Sequence, residues 1–304
     1  MPELPEVETI RRGLAGVLPG KRIKRFSVTL PKLFSAEAPA KRIHLTGATV
    51  LDVERRGKAL LIRFSGDRTL VIHLKMTGQL IYREPSRRRA PGKILLAGGH
   101  PIPAIGGDGM RLPGKVTHAT ITFDDDSRLF YNDLRQFGYL KLVSTEQAGS
   151  LPFIAALGLE PLERSFTLGK FEEVLRRCPS AKLKPLLLDQ TAVAGLGNIY
   201  VDEALNLARL HPLRTAGSLT KPQRVVLHAA IKRILRDALR AGGTSDNTYV
   251  TIRGERGDYL RRARVYHRTG EPCRRCGTPI ERIVVVGRGT HICPRCQRFP
   301  RAAK

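Results

Sequence analysis

Four of the five cysteines stand in two C-x-x-C pairs, Cys273 with Cys276 and Cys293 with Cys296, with sixteen residues between the pairs. An odd total is awkward for a disulfide framework. The spacing is that of two knuckles joined by a hairpin around one tetrahedral Zn2+. Four thiolates fill the coordination shell and leave no position for water or substrate, so the metal is expected to hold a fold and to do no chemistry. A redox dithiol is the competing reading, and it lacks a surrounding βαβ pattern. Cys178, alone before Pro179, reads as a free structural thiol. Residues 251–304 carry fourteen Lys and Arg against four Asp and Glu, so the hairpin offers arginines, Arg288 among them, to phosphate oxygens.

The whole chain repeats that bias, with 53 Lys and Arg against 27 Asp and Glu and a net charge of +26 over 304 residues. A long-lived partner should carry dense negative charge, and nucleic acid comes first. The basic residues are spread along the chain and not gathered on one amphipathic segment, which disfavours a membrane surface. No apolar run approaches the roughly 18 to 20 residues needed to span a bilayer. The opening MPELPEVETIRR is acidic and lacks a signal peptide's apolar core, so a soluble cytoplasmic protein is expected.

From Pro5 to about Leu18 the apolar Val7, Ile10, Leu14 and Val17 recur at helical spacing, and Gly20 suits an end. Short β-prone segments follow, at Ile23–Val28, Thr49–Val53, Leu60–Phe64, Leu70–Leu74, Ala119–Phe123 and Leu129–Tyr131, and they suggest a β-sandwich. Residues 83–118 hold five Pro, seven Gly and the Arg87-Arg88-Arg89 run, and are expected to form a long surface loop. From about Leu151 the texture turns helical, ending in a face marked by Val226, Ile231, Ile234, Leu235, Ala238 and Leu239. A glycine-bearing stretch, 242–257, leads to the cysteine pairs and a β-rich Ile283–Val286.

The first six residues carry chemistry. Excision of Met1 before Pro2 would expose a secondary amine, and an α-amino group titrates at about 7.7 to 8.0, so a useful fraction is neutral near pH 7. The positive end of the following helix favours the neutral amine while Glu3 and Glu6 favour the ammonium, which leaves the sign of the net shift open. A secondary amine condensed with an aldehyde-level carbon gives a permanently cationic iminium, an electron sink suited to elimination. Glu3 is adjacent and placed for acid or base work, and Glu6 lies one helical turn on. On these residues alone, the favoured reading is the plainer one, that PELPE simply starts a helix with prolines and acids in their usual N-terminal positions.

MPELPEVETIRRGL, RRGKALLI, HLKMTGQL, YNDLRQFG, GLGNIYVDEAL and VVVGRGTHICPRCQ, in that order, resemble the formamidopyrimidine-DNA glycosylase family along nearly the whole chain. The resemblance implies a bifunctional glycosylase and abasic-site lyase of base excision repair. Its substrates would be 8-oxoguanine and formamidopyrimidines in double-stranded DNA, and it would act as a monomer. Pro2 would attack C1′, Glu3 would protonate the opening sugar, and Glu6 would support the site. Lys58 resembles the lysine that binds phosphate or lesion, and Arg288 and Asn198 match residues that hold phosphates. Met76, Arg135 and Phe137 resemble the residues that fill the hole left by a flipped nucleotide; without the family, Met76 and Phe137 would read as core.

Leu4 is the residue of the oxidised-purine branch. Residues 242–258 correspond to the loop covering the extruded base. Leu134, Gln136 and the length of 83–118 depart from the family pattern. The expected architecture is a multidomain α+β protein. A catalytic β-sandwich with a leading helix spans 1–148, and a helical, helix-two-turns-helix region spans 149–262. A zinc β-hairpin with four cysteine ligands spans 263–300.

Overall fold

The computed structural model describes residues 2–36, 45–85, 94–99, 112–244 and 257–299, with the backbone only for 95–97. By its internal contacts the chain divides into two compact units, Met1–Ala155 with Gly242–Gly257, and Ala156–Ala241 with Asp258–Lys304. None of the described helices is long and apolar enough to cross a membrane.

The first unit opens with α1 (Leu4–Ala15) and continues through β1 (Ile23–Val28), β2 (Phe34–Ala36), β3 (Val50–Arg56), β4 (Ala59–Phe64) and β5 (Arg68–His73). Then come β6 (Gly78–Arg83), β7 (Ile94–Gly99), β8 (Thr117–Phe123), β9 (Arg128–Asp133), β10 (Tyr139–Ser144), α2 (Thr145–Ser150) and α3 (Pro152–Ala155). Two five-stranded sheets result, in the orders β1-β8-β9-β6-β7 and β2-β10-β5-β4-β3. All neighbours are antiparallel except β2 with β10. Their inner faces meet in one apolar core that includes Ile62, Phe64, Ile72, Leu80, Phe123 and Tyr131. Val7, Ile10 and Leu14, at helical spacing on α1, enter the same core.

Strand β4 reads ALLIRF without alternation because both of its faces are covered. Leu60, Ile62 and Phe64 join the inner core, while Ala59 and Leu61 pack with Ala148, Leu151 and Ile154.

Two expectations need correction. The stretch 83–118 is not all loop: Ile94–Gly99 is β7, paired antiparallel with β6. Its glycines mark close approach, since a Cβ on Gly98 would lie 2.3 Å from Ile10 Cγ1 and one on Gly99 2.3 Å from the Gly78 carbonyl oxygen. The Arg87–Arg89 run lies outside the described residues. On the long helix Ile231, Ile234, Leu235 and Ala238 are buried as the periodicity predicts and Leu239 is half-buried, but Val226 is exposed, and Leu227 and Ala230 extend the inward face in its place.

The second unit holds α4 (Leu168–Arg177), α5 (Leu183–Leu188), α6 (Asn198–Leu207), α7 (Lys221–Arg240) and α8 (Tyr259–Arg262), followed by β11 (Glu281–Val285) and β12 (Arg288–Ile292). The α6 and α7 faces share a core with Phe166, Phe171, Leu187 and Tyr259. The β11–β12 hairpin has a small satellite core of Val265, Ile280 and cysteines. The molecule is therefore α+β, a β-sandwich unit and a helical unit that ends in a cysteine-bearing hairpin.

Candidate active site and zinc centre

The head of α1 is built by its own acids. Glu3 is the N-cap and Glu6 the N3 residue of a capping box, with proline in the first turn. Glu6 Oε2 accepts the Glu3 backbone N–H at 2.9 Å, and Glu6 Oε1 accepts the Thr244 N–H at 2.7 Å. Both acids are buried and Pro2 is half-buried beside them. Glu6 thus anchors the start of the chain to a segment 238 residues away, with both carboxylate oxygens committed to backbone. That segment is pinched at its base, where a Cβ on Gly257 would lie 2.5 Å from the Gly243 carbonyl oxygen. The rest of the expected covering loop, 245–256, lies outside the described residues.

Lys58 follows the β3–β4 turn and is buried. The turn is tied to α1 through Glu8, whose carboxylate accepts Arg55 Nε at 3.2 Å together with Arg11 and Arg12. Arg55 in turn donates to the Gly57 carbonyl at 2.9 Å. Burial works against the Glu8 charge, but the surrounding guanidiniums win and hold its carboxyl below the usual range. Across the strand pair from Ala59 sits His73, whose Nδ1 accepts the Lys75 N–H at 3.0 Å. Burial, with Lys75 and Lys58 nearby, pushes His73 down to about 3, so its ring is neutral.

Met76, Arg135 and Phe137 come together at the surface and not in the core. Arg135 donates to Met76 Sδ at 3.4 Å, and its guanidinium lies 4.8 Å from the Phe137 ring centroid. Met76 is 41% and Phe137 53% exposed. Buried Asp133 holds the loop that displays them, accepting Thr77 Oγ1, the Gly138 N–H at 2.7 Å and the Tyr131 hydroxyl at 3.3 Å. Thr77 Oγ1 also accepts the Arg135 N–H at 2.9 Å. Gly138 must lack a side chain, since a Cβ there would lie 1.9 Å from the Tyr131 hydroxyl.

In the second unit Asn198 begins α6, half-buried, and its Nδ2 donates to the Gly289 carbonyl at 3.0 Å. Fully buried Lys184 reaches the same carbonyl at 3.3 Å and Asp202 Oδ1 at 2.6 Å, while Asp202 Oδ2 accepts the His291 N–H at 2.9 Å. Glu203, the next residue, accepts the N–H groups of Arg264, Val265 and Tyr266 at 2.8 to 3.0 Å. Burial pushes the Glu203 carboxyl up, against those three donors. Adjacent acids on α6 therefore hold β12 at His291 and the turn at 264–266, and Arg288 stands exposed at the start of β12.

The Sγ atoms of Cys273, Cys276, Cys293 and Cys296 all lie within 4.8 Å of one another. A tetrahedral ion with Zn–S near 2.3 Å sets sulfur separations of about 3.8 Å, which this cluster fits. Knuckle geometry is present as well, since the Cys296 N–H points at Cys293 Sγ at 3.4 Å. Gln297 locks the centre to the helices, accepting from the Cys293 N–H at 3.0 Å and Asn206 Nδ2 at 2.8 Å and donating to the Leu210 carbonyl at 2.9 Å. The site is a structural centre for one zinc ion.

Sequence reading missed Thr244, Glu8, Asp133, Lys184, Asp202, Glu203 and Gln297 as holders of these side chains. A signal existed for two of them, because Asp202 and Glu203 stand side by side as the only charged residues of α6.

A thiolate-built hairpin on a basic helical unit, together with an acid-capped β-sandwich, defines a two-unit zinc-finger protein. Three family models cover it: the formamidopyrimidine-DNA glycosylase N-terminal domain over residues 1–140, the H2TH domain of the same enzymes over 157–250, and a zinc finger found in FPG and IleRS over 270–298. Formamidopyrimidine-DNA glycosylases of Heliobacterium modesticaldum and Ligilactobacillus salivarius are 44% and 41% identical to it, each over 98% of this chain and 99% or more of their own. Among solved structures, a Lactococcus lactis FPG mutant with Fapy-dG containing DNA superposes with a TM-score of 0.82 at 38% identity. The Lactococcus lactis Fpg with abasic-site DNA gives 0.81 at 38%, both covering 98% of this chain and all of theirs. The chain belongs to the formamidopyrimidine-DNA glycosylase family.

Proposed function

We propose that the protein is a DNA glycosylase of base excision repair that excises oxidised purines and also cleaves the abasic strand. The observation that carries this reading is the pair of buried acids Glu3 and Glu6 beside half-buried Pro2 at the head of α1 in a chain of this family. With Met1 removed, the Pro2 amine attacks C1′, the glycosidic bond breaks, and the base leaves with the bonding electrons and a proton. Glu3 protonates O4′ as the sugar opens, and the nitrogen lone pair completes a C1′=N+ iminium. Loss of the C2′ proton then expels the 3′ phosphate, and loss of the C4′ proton expels the 5′ phosphate. Glu6, committed to two backbone N–H groups, positions Glu3 and does not compete for the proton.

Lys58, Arg288 and Asn198 bind phosphates, while Met76, Arg135 and Phe137 fill the space left by the extruded nucleotide. Exposed apolar Met76 and Phe137 bracketing a guanidinium support that last assignment. Borohydride added during reaction with an 8-oxoguanine duplex should trap a covalent adduct on Pro2, located by peptide mass spectrometry. Excision and strand cleavage at full rate with no adduct would overturn the mechanism.

A further inference from the structure

Tyr266 is fixed through its N–H by Glu203, and the next residue, His267, adopts a left-handed backbone with φ 58°. That region suits glycine and strains most side chains, so a histidine there points to a use for its ring. The ring is not left to wander. It stacks on Tyr266 with centroids 4.4 Å apart and planes 11° from parallel, and meets His291 edge-on at 5.8 Å.

The stack forms one wall of a cavity of about 450 Å3 lined by Asn198, Tyr266, His267, Thr269, Arg282 and His291, together with Gly289. Arg282 forms the other wall by lying over Gly289, where a Cβ would come within 2.8 Å of its Nε and Nη2. The glycine is thus a cradle for the guanidinium one residue beyond Arg288. Among the described residues no carboxylate lines the cavity, and guanidinium, imidazole and hydroxyl donors face a common space. On the same wall Asn198 Oδ1 is buried with no partner among the described residues, a place for a water that bridges to a bound group.

We propose that His267 and Arg282 are further contact residues for the sugar-phosphate backbone of duplex DNA, receiving a phosphodiester beside the one assigned to Arg288. The inference rests on the DNA-repair reading and extends its binding surface to two residues outside the proposed catalytic and phosphate-binding set. Arg282 supplies a charge-assisted donor that displaces a counterion, and the stacked imidazole supplies a directional N–H.

The test uses the full zinc-loaded chain and a duplex carrying a tetrahydrofuran abasic-site analogue, with Kd measured across KCl concentrations. His267→Gly, which suits the left-handed backbone, should weaken binding about fivefold. Arg282→Ala should weaken it about tenfold and reduce the slope of log Kd against log salt by about 0.9. Zinc content and thermal midpoint of the free variants should stay near wild type. Wild-type affinity in either variant, or an unchanged salt slope in Arg282→Ala, overturns the proposal. A wild type that binds no duplex overturns the repair reading along with it. Loss of borohydride trapping while these binding losses stand would overturn the chemistry and leave the contacts supported.

Discussion

The two units hold their functional side chains by different means. In the first, α1 and two five-stranded sheets enclose a continuous apolar core, and Glu3, Glu6 and Lys58 are fixed on its rim by backbone N–H groups and a carboxylate–guanidinium link. In the second, the β11–β12 hairpin has little apolar substance beyond Val265 and Ile280, and thiolates take the place of a core. Position in the sandwich is thus a by-product of global folding. In the hairpin it depends on one ion and on a few buried charges reaching out from α6. A chain divided this way should lose the order of its hairpin, and with it the proposed phosphate contacts, before the order around Glu3, Glu6 and Lys58.

The largest effect should come from zinc. Structural zinc sites contribute on the order of 10 to 16 kcal/mol of apparent binding free energy, far more than the small cluster around Val265 supplies. Chelation or Cys293→Ser should release β11–β12 and abolish tight DNA binding while β4 and β5 stay protected. Hydrogen exchange read by mass spectrometry on peptides from each region checks this. Equal loss of protection in both would show that the units do not fold separately.

Next comes the buried ion pair of the second unit. Lys184→Met leaves the fully buried Asp202 without its lysine, keeping only its contacts to His291, and breaking such a pair costs about 3 to 5 kcal/mol. Since Lys184 also holds the Gly289 carbonyl, the variant should weaken DNA binding with zinc still bound. Asp202→Asn in the same background should recover part of the stability, a result that separates charge burial from lost packing.

Some of these devices were legible in the sequence and others were not, and the boundary is sequence separation. The cysteine spacing and the helix start at PELPE are local patterns. The β-prone segments that became β1, β4 and β8 were equally plain. Strand β7 was hidden because its glycines, needed for close approach to Ile10 and Gly78, look like loop residues. The inward face of α7 was legible at Ile231, Ile234, Leu235 and Ala238 but not at its first turns, where Val226 fits the helical period and packing chose Leu227 and Ala230. The Glu6 bond to Thr244, the Lys184–Asp202 pair and the Asp133 bond to Thr77 join residues apart in sequence, and no local pattern announces them. Met76 and Phe137 show the converse, since only the family resemblance marked two ordinary apolar residues as surface ones.

Acid should affect the first unit more modestly. His73 is neutral in the fold with its pKa depressed to about 3, whereas unfolded it titrates near 6.5. The unfolded chain therefore binds the extra proton between those values. The stability from keeping the ring neutral is complete above pH 6.5 and is lost as pH falls toward 3. By pH 5 the loss is about 2 kcal/mol, and His73→Gln should flatten the dependence in urea titrations. An unaltered slope in that variant would place the acid sensitivity elsewhere.

The smallest effect on stability, and the sharpest test of the division between holding and displaying, belongs to Phe137. Its ring is half exposed and rests on the Arg135 guanidinium, so Phe137→Ala should change unfolding free energy by no more than about 0.5 kcal/mol. Asp133→Ala, which removes the partner of Thr77 and the Gly138 N–H, should by contrast cost about 1 to 3 kcal/mol for each buried donor left unsatisfied. Yet both should impair nucleotide extrusion, Asp133→Ala because the loop loses its shape and Phe137→Ala because the wedge itself is gone. A 2-aminopurine placed beside the lesion reports that unstacking by fluorescence. If Phe137→Ala unstacks the base as fast as wild type, the exposed ring is no wedge, and the Asp133 network has been maintaining a surface loop for some other purpose.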